Sequence, residues 1–189
     1  ILMKAMNRRD FLKLTGASAL ALALAACGAD NAPTVPATSK EAQIENAING
    51  YRKEKGLKEL KHEDVIAEYA EMYTSLCEAH GSTSINWSDL TELEEANIGK
   101  LQARVLEAHF SMDAIKDAVT IGMGEDEDGN SKLVYTFPAN DAELAAQLAS
   151  HKENIAKAEL RYIGVSTATV DGKTYWLACL VGKKITDTE

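Results

Sequence analysis

Tyr162-Ile-Gly-Val-Ser-Thr-Ala-Thr-Val170, the pair Asp171-Gly172, and Thr174-Tyr-Trp-Leu-Ala-Cys-Leu-Val181 form two β-rich runs about a turn signal. β-branched and aromatic side chains favour extended backbone, and Asp-Gly supplies the positive φ angles of a tight turn, so this stretch predicts an antiparallel hairpin. Trp176 lies among alternating apolar residues on the second run and is expected in the core. Upstream the apolar period changes. Ile44, Ala47, Ile48 and Tyr51 recur at helical spacing, which predicts a helix over 41–55 with Gly56 as its stop and Leu57 and Leu60 covering its end. Ile66, Ala67, Ala70, Tyr73, Leu76 and Cys77 predict a second helix over 63–79.

The middle of the chain is less regular. Residues 101–109 and 113–119 have helical spacing, while Ala118-Val-Thr-Ile-Gly-Met123 and Lys132-Leu-Val-Tyr-Thr-Phe137 flank the acidic stretch 124–130 and predict two strands joined by a turn. That turn offers carboxylate and amide oxygens of the kind calcium takes. It lacks the spaced bidentate glutamate of an EF-hand, which favours a solvated hairpin tip. Residues 141–149 are helical again, capped by Asn140 or Asp141. Helices first and strands last, without β-α-β alternation or internal repeat, predict an α+β architecture.

The N-terminal stretch carries an address rather than a fold. Asn7-Arg8-Arg9-Asp10-Phe11-Leu12-Lys13 precedes an apolar run from Leu14 to Ala26, and the twin arginine resembles a Tat export signal. Leu24-Ala25-Ala26-Cys27 resembles a bacterial lipobox, in which the cysteine sulfur receives a diacylglyceryl group. The run is shorter than the roughly 20 residues of a membrane-spanning helix. The expected organisation is a lipoprotein signal peptide over 1–26, a lipidated Cys27 with a small, proline-containing tether over 27–40, and one domain over 41–187. The expected location is outside the cytoplasm, on the cell membrane through the Cys27 lipid.

The formal net charge is −9, and removing residues 1–26, which hold four basic residues and one acidic, makes it −12. Such a surface repels phosphate backbones, so no nucleic-acid partner is expected. Cys77 and Cys179 each sit among apolar residues and read as buried small hydrophobes; a Tat cargo folds before it reaches an oxidising compartment. Cys77 also stands three residues before His80, the spacing of a Cys-His pair on one helix face, but on the apolar stripe where a thiol is inert.

Taken in order, several blocks resemble the CAP superfamily of cysteine-rich secretory, antigen 5 and pathogenesis-related proteins, in its bacterial branch. They are Ile48-Asn49-Gly50-Tyr51-Arg52, Gly56-Leu57-Lys58-Glu59-Leu60, His80 with Trp87-Ser88, Ala96-Asn97-Ile98-Gly99, Ser150-His151-Lys152-Glu153-Asn154-Ile155, Tyr162-Ile163-Gly164-Val165 and Tyr175-Trp176. Residues 101–138 are longer than the family usually has there. The resemblance implies an α-β-α sandwich with a mostly antiparallel sheet. It also implies a ligand cleft carrying His80, Glu95, Asn97 and His151, with His80 and His151 as imidazole ligands for a divalent metal such as zinc.

The chain departs from the family pattern at the carboxylates. Ala96 stands where the motif has glutamate, with Glu95 one residue away, and Ala145 stands where bacterial members often have tryptophan. A catalytic zinc needs three protein ligands and an open position. The expectation is therefore a non-catalytic binding module for a lipid, glycan or protein ligand, with no cofactor. The rival is a metal-dependent hydrolase using His80, His151 and Glu95. His62 and His109 are expected as surface residues flanking helices.

Overall fold

The computed structural model of the chain describes residues 38–187; Arg8, Arg9, Cys27 and the tether up to residue 37 lie outside them. Among the described residues no helix is long and apolar enough to cross a membrane. Helix α1, Lys40–Glu54, starts at Ser39, whose hydroxyl accepts the Ala42 N–H at 3.0 Å. It stops at Gly56, as the sequence predicts. With φ at 69°, Gly56 lets its own N–H reach the Lys53 carbonyl and the Leu57 N–H reach that of Arg52, which satisfies two helix-end acceptors. Helix α2, Asp64–His80, ends in the same way at Gly81, with φ at 60°.

The hairpin forms the centre of the sheet. Strand β6, Tyr162–Val170, pairs with β7, Lys173–Val181, in register from Tyr162↔Val181 to Val170↔Lys173. Asp171 and Gly172 have φ of 49° and 73°, the two positive angles of a type I′ turn, whose twist matches that of the strands. Strand β1, Lys61–His62, runs parallel beside β6, and β3, Val119–Ile121, runs antiparallel beside β7. The order is β1-β6-β7-β3.

Alternation along the hairpin divides the core in two, because successive side chains of a strand point to opposite faces. Leu177, Cys179 and Val181 pack with Ile66, Ala70 and Tyr73 of α2. Trp176, Ala178 and Leu180 pack with Ile44 and Ile48 of α1 and with Leu144 and Leu148 of helix α5, Asp141–Ala149. Helices therefore cover both faces of a mostly antiparallel sheet, the sandwich that the resemblance implies. Helix α2 lies so close to β6 that a Cβ at Gly164 would stand 2.1 Å from the Ala67 nitrogen, so a side chain there would push helix and strand apart. Trp176 is fully buried, and its indole N–H donates to Gln147 Oε1 at 3.0 Å.

Between these parts the structure corrects the sequence reading. Helix α3 runs Glu92–Glu107, beginning nine residues before the predicted 101. Its start is set by a capping box in which Thr91 and Glu94 satisfy each other's backbone N–H groups, whereas its apolar signal is thin, with only Leu101 and Val105 buried. Helix α4, Met112–Lys116, ends before the β-branched Val119-Thr120-Ile121, which joins the main sheet. Gly122, with φ of 98° and no room for a Cβ, which would stand 2.3 Å from the Trp176 carbonyl oxygen, separates β3 from β4, Met123–Glu125. Only β4 pairs with β5, Ser131–Leu133, across the acidic turn, and β2, Ser84–Ile85, completes a small second sheet of order β2-β5-β4. At the tip, Asp126 accepts the N–H groups of Asp128 and Asn130 and the Ser84 hydroxyl. The Ser84 bond first, then the Asn130 N–H, holds its carboxyl at about 2, as befits a hydrogen-bonded turn.

Candidate functional site

His80 is the last residue of α2, and its Nε2 lies 2.9 Å from Glu94 Oε1 on α3. The carboxylate that reaches His80 is thus Glu94, not the expected Glu95. A helix turns about 100° per residue, so Glu95 points away from the α2 side, Ala96 lies about 200° round, and both are exposed. Glu94 is already occupied. Its Oε2 accepts the Thr91 N–H at 2.7 Å and the Thr91 hydroxyl at 2.8 Å, and these bonds, with the His80 contact after them, hold its carboxyl below the usual carboxylate range. Asn97 is exposed on the same helix. The Thr91-x-x-Glu94 spacing is a capping-box signal that would have found this carboxylate from the sequence.

His151 sits on the other face of the sheet, between α5 and the short helix α6, Lys152–Ile155. Its Nε2 lies 3.0 Å from the Tyr135 hydroxyl, and its ring meets Tyr135 edge-on at 5.7 Å. Tyr135 in turn stacks on Trp176 at 5.6 Å. Burial pushes the His151 imidazole down from its ordinary value. Among the described residues no hydrogen bond joins His80 to His151, and no group of three His, Cys, Asp or Glu residues is placed to hold a metal ion. The donors expected for zinc, two imidazoles and Glu95, therefore do not fit the three-ligand requirement in this arrangement. Cys77 is also fully buried, and burial pushes its thiol up to about 11, which leaves it protonated and no nucleophile for His80 to activate. Cys179 is unpaired as well, with its thiol pushed up to about 12 by burial.

His62 departs from its expected surface role. Its side chain is 9% exposed, and it bridges Glu45 Oε1 at 2.8 Å and Asp64 Oδ1 at 3.3 Å. The Glu45 hydrogen bond, opposed by burial, raises the imidazole above its ordinary value. A raised folded-state value means that the contribution of His62 to stability is complete below the unfolded imidazole value near 6.5 and is lost as pH rises through the folded one. Denaturant unfolding of wild type and His62→Gln should accordingly show a stability gap that is largest at pH 5 to 6 and shrinks towards pH 9. A gap independent of pH would mean that the imidazole is neutral in the folded state.

Lined by neither histidine, an open groove of about 700 Å³ runs between α1 and α5. Gln43, Ala47, Gly50 and Tyr51 line one wall, and Asp141 and Ala145 the other. The sequence reading missed it, because a groove between two helices follows from their packing.

The sequence model of the cysteine-rich secretory protein (CAP) family matches residues 45–181, which span α1 to the end of β7. The chain belongs to the CAP family. The twin-arginine translocation signal matches residues 5–25, so this is an exported bacterial CAP protein. No curated protein matches it. Among solved structures, an outer surface protein from Borrelia burgdorferi is similar at 15% identity and a TM-score of 0.49, over 79% of this chain and 96% of that one. A cysteine-rich secretory protein from Staphylococcus aureus is similar at 17% identity and a TM-score of 0.44, over 76% of this chain and 38% of that one. Within the CAP domain of this chain, His80 contacts Glu94 and His151 contacts Tyr135.

Proposed function

We propose that this CAP protein is a non-catalytic binding module held on the outer side of the cell membrane by a lipid on Cys27, where it presents its domain to a lipid, glycan or protein ligand. The observation that carries the reading is the commitment of both family histidines to structural partners. His80 bonds a carboxylate that caps α3, and His151 bonds a tyrosine stacked on the core tryptophan. Each imidazole has a scaffold task, and removing either would loosen a helix end or the Tyr135 contact. The alternative, a metal-dependent hydrolase, rests on the single His80–Glu94 pair, one carboxylate and one imidazole short of the family set.

Two measurements test the proposal. The purified protein should contain well under one equivalent of zinc by metal analysis. Stoichiometric zinc, with a hydrolytic activity that chelation removes, would replace the binding module by the hydrolase. In fractionated cells, Cys27→Ala should move the protein from the membrane pellet to the soluble fraction, and Arg8→Lys with Arg9→Lys should leave precursor in the cytoplasm. A Cys27→Ala protein that still pellets would reject the lipid anchor.

A further inference from the structure

The groove between α1 and α5 has features that the fold itself does not use. Gly50 lies in the interior of α1, where glycine costs about 1 kcal/mol relative to alanine, and its surroundings give no reason for it. A Cβ built there meets nothing within 4 Å, so neither packing nor a turn excludes a side chain. What the missing side chain provides is access to the α1 backbone from the groove. Ala47 and Ala145 continue the low floor beside it, above the buried Leu144 and Leu148.

The walls above this floor are polar. Gln43, Asn46 and Glu54 rise from α1 and Asp141 from α5, all exposed, and among the described residues none of their side chains makes a hydrogen bond or ion pair. Tyr51 stands towards one end, with the ammonium groups of Lys55 and Lys152 5.6 and 5.8 Å from its ring centre. Three chemistries compete for such a trough. An acyl chain requires an enclosed apolar channel, and here it would strip water from uncommitted amides and carboxylates without replacing their hydrogen bonds. A peptide added as a strand needs a sheet edge, and both walls here are helices; a peptide docked as an amphipathic helix needs a continuous apolar groove, and the rim here carries Gln43, Asn46, Glu54 and Asp141. A sugar ring offers a C–H face to a low apolar floor and hydroxyls, as donors and acceptors together, to planar amides and carboxylates at the rim. The volume lies within the usual 300 to 1,000 Å³ range of small-ligand sites.

We infer that the α1–α5 groove binds a neutral oligosaccharide, seated over Gly50 and hydrogen-bonded by Gln43, Asn46, Glu54 and Asp141. This deepens the binding-module reading and rests on it.

The test uses the full chain purified in detergent, titrated calorimetrically with cellotetraose, maltotetraose and the tetramer of N-acetylglucosamine, and separately with palmitate. At least one tetrasaccharide should bind with a Kd of about 1 mM or tighter. Gly50→Leu puts a side chain into the trough at a position where a Cβ meets nothing within 4 Å. It should weaken that binding at least tenfold while leaving the unfolding temperature unchanged or raised. Asn46→Ala should weaken it several-fold. Failure of all three sugars to bind wild type overturns the inference, as does palmitate binding that Gly50→Leu abolishes. A sugar bound equally by wild type and Gly50→Leu would reject the groove and leave the binding-module reading standing. Cleavage of a tetrasaccharide that depends on added zinc would reject that reading itself.

Discussion

Trp176→Ala is expected to lower the unfolding free energy by about 3 to 5 kcal/mol, the range for truncating a large buried aromatic. The indole is fully buried among Ile44, Ile163, Val165 and Leu180, and it is the surface on which Tyr135 stacks. Removing it opens a cavity, leaves Gln147 Oε1 without its donor and frees Tyr135 from the position in which it holds His151. Urea unfolding followed by far-UV circular dichroism measures the change. A loss below about 1 kcal/mol would mean that β7 does not press this residue into the core. Trp176→Phe, which keeps an aromatic surface for Tyr135 but not the N–H, should cost distinctly less.

Arg52→Ala is expected to be as damaging, by about 3 to 5 kcal/mol, for a different reason: buried carbonyls lose their donor and a fully buried side chain leaves a cavity. Arg52 is completely buried although it carries a charge, and among the described residues no carboxylate forms an ion pair with it, Glu159 acting on it only at longer range. Its guanidinium donates to four backbone carbonyls: Lys58 at 2.9 Å, Ile155 at 2.6 Å, Lys157 at 3.0 Å and Leu160 at 3.4 Å. One side chain thereby ties the end of α1 to the loop after it and to the irregular segment between α6 and β6. Desolvation, then the nearby Arg161 charge, pushes its value down, a sign of how tightly the site is enclosed. Alanine would leave the Lys58 and Ile155 carbonyls without these donors, whereas the Lys157 carbonyl keeps the Leu160 N–H and the Leu160 carbonyl keeps Arg161; typical domains have only about 5 to 15 kcal/mol in total. Arg52→Met keeps most of the volume and removes only the donors. If Arg52→Met is as stable as wild type, the carbonyls find water and the tie is dispensable; Arg52→Lys, with a single compact head, should recover only part of the loss.

The histidines show how an ordered set of motif blocks can place a family and still leave its site open. His80 and His151 were visible as residues, and both lie within the matched region. Which carboxylate meets His80 depends on the rotation of α3, and that rotation is set by the Thr91–Glu94 capping box rather than by the motif. Shifting the reading by one residue, from Glu94 to Glu95, turns the carboxylate about 100° away. His62 was obscure for a related reason: its burial comes from α1 covering β1, a contact between elements that no local pattern records.

By itself the sequence determined the export signal, the two long helices with their glycine stops, the Asp171-Gly172 hairpin and the burial of Trp176. These depend on local chemistry: apolar period, left-handed φ at glycine, and the positive-φ tolerance of Asp-Gly. Tertiary structure alone decided that Val119–Ile121 joins β7 instead of the acidic hairpin, that Arg52 is buried against carbonyls, and that α1 and α5 leave a groove over Gly50. Each of those outcomes is a competition between distant partners for the same surface, and its energy resides in contacts that exist only once the sandwich has closed.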